Sequence, residues 1–217
     1  MKHIFVDMDG TICESRQIIS KKMKKLLLTL DEPFVVISGA QISRIETQMD
    51  GVPCIKMGQN GNDAPDWKNK LSNKDIREIL NHIGKIYPYF PEDCIQNRGC
   101  QISLSFIGHS AGIEDKKKFD PRRKKRHEIL KKIAFRSKTL LCRVAGTTCF
   151  DYNKKGNLKG DNLTRYMKLH KLDPKDCIYF GDNFTKGGND ESVLGIMKCV
   201  KVKDSKDFYT KFNKIRN

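Results

Sequence analysis

The run Ile4-Phe5-Val6 leads directly into Asp7-Met8-Asp9-Gly10-Thr11, so a short apolar strand delivers two aspartates, a glycine and a threonine at its end. A buried run ending in two carboxylates two residues apart turns both side chains to the same side of the backbone. Negative charges that close are tolerated mainly beside a bound cation. The pairing predicts a Mg²⁺ site.

The hydrophobic pattern around that strand repeats a strand and helix rhythm. Met23, Leu26, Leu27 and Leu30 fall on one helical face behind Ser20 as N-cap, and Phe34-Val35-Val36-Ile37 makes a second buried strand. Ser38-Gly39 closes it, and Ile42, Ile45 and Met49 give the next helix its apolar face. That alternation belongs to a parallel sheet.

From about residue 66 the rhythm changes. A helix after Asn73 sets Ile76, Ile79, Leu80 and Ile83 on one face, Pro88 and Pro91 follow, and residues 101–106 alternate as a half-exposed strand. Asp120-Pro121 reads as N-cap and first turn of a basic helix with Ile129, Leu130 and Ile133 inward, followed by a strand within residues 140–150. The parallel rhythm resumes with a helix from Lys159 to Leu169, a strand Cys177 to Phe180 ending in Gly181-Asp182, and a late strand Cys199 to Val202. The expected architecture is α/β: a Rossmann-like parallel core from residues 1–65 and 153–217, split by an α+β insert at 66–152.

At 217 residues and 38% hydrophobic content the chain can bury a sizeable core. Its formal charge of +16 favours anionic partners without choosing among phosphorylated metabolites, nucleic acid and acidic surfaces. The eight cysteines form no C-x-x-C pair, so free thiols in a reducing, cytoplasmic compartment are expected rather than a zinc ribbon or disulfide framework. No stretch has the length and apolarity of a membrane span or the pattern of a signal peptide, so no membrane partner is expected.

In a parallel sheet, functional residues gather beyond the carboxyl ends of the strands, where Asp7, Ser38 and Asp182 all fall. Asp7 is placed to attack phosphorus and carry a phosphoryl group, with Asp9 as the acid and then the base. Asp7, the Asp9 carbonyl and Asp182 make an oxygen cradle for Mg²⁺, with Asp190 as ligand or support. Ser38, Gly39 and Lys159 are left to bind the remaining phosphate oxygens. Each piece alone is ordinary, since a D-x-D is often a turn and a Ser-Gly often a helix cap. Four in order at strand ends or helix starts are harder to explain as packing.

These four pieces resemble the motifs of the haloacid dehalogenase superfamily: Asp7-Met8-Asp9-Gly10-Thr11, Val36-Ile37-Ser38-Gly39, Lys159, and Gly181-Asp182 with Gly187-Gly188-Asn189-Asp190. The resemblance spans nearly the whole chain. Ser15-Arg16-Gln17, Asn97-Arg98-Gly99 and Phe150-Asp151 make it similar to the subgroup of eukaryotic-type phosphomannomutases and related bacterial hydrolases, which carry an α+β cap between the second and third motifs. The resemblance implies sugar-phosphate binding by Arg16, Arg98 and Asp151.

The chain departs from the mutase pattern in three places. Two further cap arginines are replaced by His109 and Lys116, the second motif is Ser-Gly rather than Gly-Gly-Ser-Asp, and a cap serine is Cys149. A mutase must grip phosphate at both ends of a hexose while excluding water, so a weaker distal grip favours hydrolysis. The expectation is a Mg²⁺-dependent phosphatase for a small phosphomonoester such as a sugar phosphate, with a phosphomannomutase-type isomerase as rival. The basic run from Lys116 to Arg126 reads as a solvated helix face, with nuclear targeting or the binding of a polyanion such as nucleic acid as the sharper alternative. Homodimerisation through the cap stays open.

Overall fold

A computed structural model describes residues 3–30, 34–86 and 92–216. Pro88 and Pro91 lie outside the described residues. The chain divides into two compact units, residues 1–68 with 157–217 and residues 69–156. Both boundaries fall a few residues later than the sequence pattern puts them. Trp67 is buried in the first unit's core with its indole N–H on the Gly61 carbonyl, and the last strand before the return runs on to Lys154.

The first unit begins with β1 (His3–Asp7), α1 (Lys21–Leu27), β2 (Val35–Ile37), α2 (Ile42–Met49) and β3 (Ile55–Met57), followed by the short hairpin β4 (Asp63–Ala64) and β5 (Trp67–Lys68). Ser20 caps α1 by accepting from the Met23 amide. In the second unit, α3 (Asn73–Ile86), β6 (Ile95–Asn97) and β7 (Ile102–Ser105) precede α4 (Ile113–Phe119), α5 (Lys124–Lys132), β8 (Leu140–Ala145) and β9 (Cys149–Lys154). The chain then returns to the first unit with α6 (Lys159–Leu169), β10 (Cys177–Gly181), β11 (Lys198–Lys201) and α7 (Ser205–Arg216).

In the first unit the five strands β11-β10-β1-β2-β3 form one parallel sheet. Because side chains alternate along a strand, Val6, Val36, Ile178 and Phe180 pack on α1, α2 and α7, while Phe5, Val35, Ile37 and Tyr179 pack on α6. The sequence reading contained no α7. That helix sets Phe208 edge-on and Phe212 tilted against Phe180, with ring centroids 5.1 and 5.6 Å away. β1 lies in the middle of the sheet, with β2 and β10 on either side, so the chain winds outward from it in both directions. A crevice beyond the carboxyl ends is expected at that reversal.

The second unit is an antiparallel sheet, β6-β7-β9-β8, whose apolar face packs on α3. Three expectations change here. The strand over residues 101–106 is buried on both faces, because Ser103 bonds Asp151, and Ser105 bonds the Gly108 carbonyl and Thr148. The single strand expected within 140–150 is a hairpin, since Gly146 takes a positive φ and turns β8 into β9. Asp120 does not sit at the N-cap of the basic helix: α4 precedes it, and its carboxylate reaches forward to the amides of Lys125 and Arg126.

The basic run is also divided between surface and interior. Arg126 is fully buried, ion-paired to Asp120 at 2.9 Å, and donates to the carbonyls of Ala145 and Cys149 across the β8–β9 turn. Lys116 is buried on the His109 carbonyl. Lys117, Lys118, Arg122, Lys124 and Lys125 are exposed, as a solvated face requires.

Candidate active site

Asp7 ends β1 on the face that Phe5 presents to α6, and Lys159 is the first residue of that helix. The Lys159 ammonium donates to Asp7 Oδ1 at 2.7 Å, to Asp190 Oδ1 at 2.7 Å and to the Tyr179 hydroxyl at 3.1 Å. Tyr179 in turn donates to Asp190 Oδ1 at 2.6 Å, and the Asn183 amide donates to Asp190 Oδ2 at 3.0 Å. Sequence alone places Lys159 on phosphate; in the structure it is the hub of a buried ionic cluster.

Close backbone approach makes this arrangement possible. A Cβ on Gly160 would sit 1.8 Å from the Ser192 carbonyl, so only glycine lets the first turn of α6 lie against the segment that follows Asp190. Gly10, at φ 83°, brings the turn after β1 to within 3.0 Å of Asp182 Oδ2, measured from where a Cβ would stand.

The electrostatics follow from three carboxylates around one ammonium. Burial pushes the Asp7 carboxyl well up, and the Lys159 charge offsets only part of that. Asp182 is also raised, by burial first and then by repulsion from Asp190. Burial raises Asp190 too, but Lys159, Tyr179 and the Asn183 amide outweigh it and hold the carboxyl below its usual value. Burial alone would lower Lys159; Asp190 and Asp7 reverse that and keep it firmly protonated.

Among the described residues, oxygens of Asp7, Asp182 and Asp190 lie within 4.8 Å of one another. An all-oxygen set with excess negative charge is the chemistry that a hard divalent cation such as Mg²⁺ seeks, and two carboxyls held upward are what such a charge would relieve. The donor set therefore fits the ion.

The Asp9 carboxylate is not part of that group. Its Oδ1 accepts from the Arg16 amide at 2.9 Å and from Gln48 Nε2 at 3.1 Å. This departs from the expected side-by-side pair: the chain leaves the strand at Asp7, and the amides of Thr11, Ile12 and Cys13 all turn back onto the Met8 carbonyl. Asp7 thus partners α6, whereas Asp9 partners α2. Ser38 is buried one residue beyond β2, just past Ile37, the register partner of Asp7, and its hydroxyl accepts from the Ala40 amide at 3.1 Å. Gly39 follows it, with Asn60 nearby. Arg16 is exposed and takes a left-handed φ of 64°.

The second unit holds the other two expected residues. Asp151 accepts from the Ser103 hydroxyl at 2.7 Å and lies in register with Arg143 across β8 and β9. Arg98 donates to Gln96 Oε1 at 3.1 Å.

Sequence reasoning missed Tyr179 and Gln48. Each had a signal: Tyr179 is a hydroxyl inside the apolar run Cys177 to Phe180, and Gln48 occupies an inward position of α2 between Ile45 and Met49. A buried polar tip in such places must find a partner.

Comparison with known proteins adds to this geometry. No family model matches the chain. A haloacid dehalogenase-like hydrolase from Bacteroides thetaiotaomicron superposes with a TM-score of 0.70 at 14% identity, over 99% of both chains. The fold is that of the haloacid dehalogenase-like hydrolases. A second protein of that organism, described as a phosphatase of this superfamily, gives a TM-score of 0.69 at 14% identity over 100% of this chain and 95% of its own. An IMP-nucleotidase from Plasmodium falciparum gives 0.64 at 16% identity, covering all of this chain and 68% of its own. In sequence, the phosphomannomutase of Encephalitozoon cuniculi is 24% identical over 218 residues, covering 88% of this chain and 84% of its own. Phosphomannomutase 1 of Dictyostelium discoideum is 25% identical over 221 residues, covering 90% and 87% respectively.

Proposed function

We propose that the protein is a Mg²⁺-dependent phosphatase that hydrolyses a small phosphomonoester, a sugar phosphate being the favoured class, through a phosphoaspartate on Asp7. The observation that carries this reading is the cluster of buried Asp7, Lys159 and Asp190 with half-buried Asp182 beyond the carboxyl ends of β1 and β10. Asp7, Asp182 and Asp190, with the Asp9 carbonyl, would hold the cation, which when bound draws charge from the phosphoryl oxygens.

Asp7 attacks phosphorus in line, so its oxygen gains the P–O bond as the ester P–O bond breaks. Asp9 gives the departing oxygen its proton. Water then attacks the phosphoaspartate, Asp9 takes the water's proton, and inorganic phosphate leaves with Asp7 restored. Ser38, Gly39 and Lys159 bind the phosphoryl oxygens, Lys159 from 2.7 Å beside the nucleophile. Asp190 helps to keep that ammonium charged, and Tyr179 and Asp190 aim it. Arg16, Arg98 and Asp151 are assigned to the rest of the substrate, where a guanidinium fork suits an anion and a carboxylate suits hydroxyls.

The names of the curated relatives favour a second reading, hexose phosphate isomerisation. Hydrolysis is preferred because Lys116 and His109, where the mutase pattern has arginines, are buried on the backbone carbonyls of His109 and Ser103. A panel of phosphorylated metabolites with Mg²⁺ tests both, read as phosphate release and, with a bisphosphate activator, as conversion of hexose 1-phosphate to 6-phosphate. Asp7→Asn is expected to lower turnover by about 10³-fold or more. Turnover at the parental rate would refute Asp7 as nucleophile.

A further inference from the structure

We infer that Gln48, on α2, is a positioning residue for the acid–base carboxylate Asp9, an inference that rests on the phosphatase reading. Its amide Nε2 donates to Asp9 Oδ1 at 3.1 Å, to the Gln17 carbonyl at 3.0 Å and to Cys13 Sγ at 3.3 Å, and its backbone carbonyl accepts from the Ile19 amide at 2.9 Å. One side chain therefore ties the segment from Asp9 to Gln17 to a helix packed in the core. The Arg16 amide, in the left-handed turn of that segment, reaches the same Asp9 oxygen.

The orientation of the amide follows from its surroundings. A carboxylate and a peptide carbonyl face it, so the NH₂ end must point their way; a flipped amide would set oxygen against oxygen. The opposite end is costly: Gln48 is 2% exposed and, among the described residues, its Oε1 has no hydrogen-bond partner. Burying an amide oxygen without a partner forfeits its hydration with no bond in return. A leucine or methionine would serve packing better there, between Ile45 and Met49, so packing alone does not explain a glutamine.

What the arrangement does to Asp9 is geometric. Two donors converge on Oδ1 and fix the carboxylate plane, and among the described residues no donor reaches Oδ2. Oδ2 is thereby the oxygen that carries the proton toward the departing ester oxygen. Loss of the Gln48 donor leaves Asp9 tethered only by the Arg16 amide, free to rotate and to deliver its proton from the wrong place. An alkoxide or plain phenoxide needs that proton as it leaves, whereas a nitrophenoxide is stable enough to depart with little help.

The test compares kcat/KM, which reports the steps through phosphoryl transfer to Asp7, for phenyl phosphate and 4-nitrophenyl phosphate with Mg²⁺. In Gln48→Met, phenyl phosphate should lose at least ten times more than 4-nitrophenyl phosphate. Gln48→Glu, which keeps the shape but sets an oxygen against Asp9, should show the same split. Equal losses for the two esters, or no loss, would overturn the assignment while leaving the phosphatase reading intact. A parent protein that cleaves neither ester would overturn both. Failure of both variants to fold would make Gln48 a structural residue and end the proposal.

Discussion

Replacing Lys159 by methionine removes the single cation from the buried cluster while nearly preserving its length. The side chains of Lys159, Asp7 and Asp190 are 0%, 4% and 0% exposed, so water cannot take over the lost interactions. At 2.7 Å each ion pair has a gross attraction of about 6 kcal/mol at an effective dielectric near 20, much of it offset by the desolvation of the ammonium. What remains is the cost of leaving buried carboxylates without a counter-charge, about 3–5 kcal/mol.

The sign of the pH dependence follows from the same carboxylates. Asp7 already lies above the ordinary carboxylate range because of burial, and removing Lys159 takes away the charge that opposes the rise. A carboxyl raised in the folded state contributes stability below its unfolded value and loses it as pH climbs through the folded value. The penalty of Lys159→Met should therefore be larger at pH 8 than at pH 5. Urea unfolding in metal-free buffer, followed by the fluorescence of Trp67, reads the right unit, because this sole tryptophan is buried in the first unit's core. A loss below about 1 kcal/mol, the level of a surface ion pair, or one equal at both pH values, would refute the reasoning.

Asp182→Asn removes a carboxyl that burial and Asp190 push upward, so without metal the variant should be more stable than the parent near pH 8. Allowing for the partial exposure of Asp182, the gain is at most about 1 kcal/mol. It should fade toward the unfolded carboxylate value, and the thermal stabilisation by Mg²⁺ should shrink; a variant that keeps the full Mg²⁺ shift would exclude Asp182 as a ligand. In the second unit, Arg126→Met should cost about 3–5 kcal/mol, because Asp120 and the carbonyls of the β8–β9 turn lose their buried donor. Lys117→Ser and Lys118→Ser should stay within about 0.5 kcal/mol. Hydrogen exchange of β8 and β9 would separate the two classes, and equal protection in all three variants would contradict the buried role of Arg126.

The first unit was largely legible in the sequence because its signals are local. Strands such as Phe5-Val6 and Tyr179-Phe180 are short apolar runs, α6 begins at the expected Lys159, and the motif residues stand at strand ends that any parallel sheet of this order gathers on one edge. The second unit was less legible. Its turns depend on Gly146 and on the reach of Asp120, features whose effect is set by partners distant in the chain.

Within the site, sequence determined which chemical groups are available: an acidic pair, a hydroxyl, an ammonium and two later carboxylates. Only the tertiary structure decided how they are shared out. It sent Asp7 to Lys159 and Asp9 to Gln48, and it raised Asp7 while lowering Asp190. The reason is physical: two identical carboxylates differ only in burial, hydrogen-bond donors and nearby charge, and each of those is supplied by residues brought in from elsewhere in the chain.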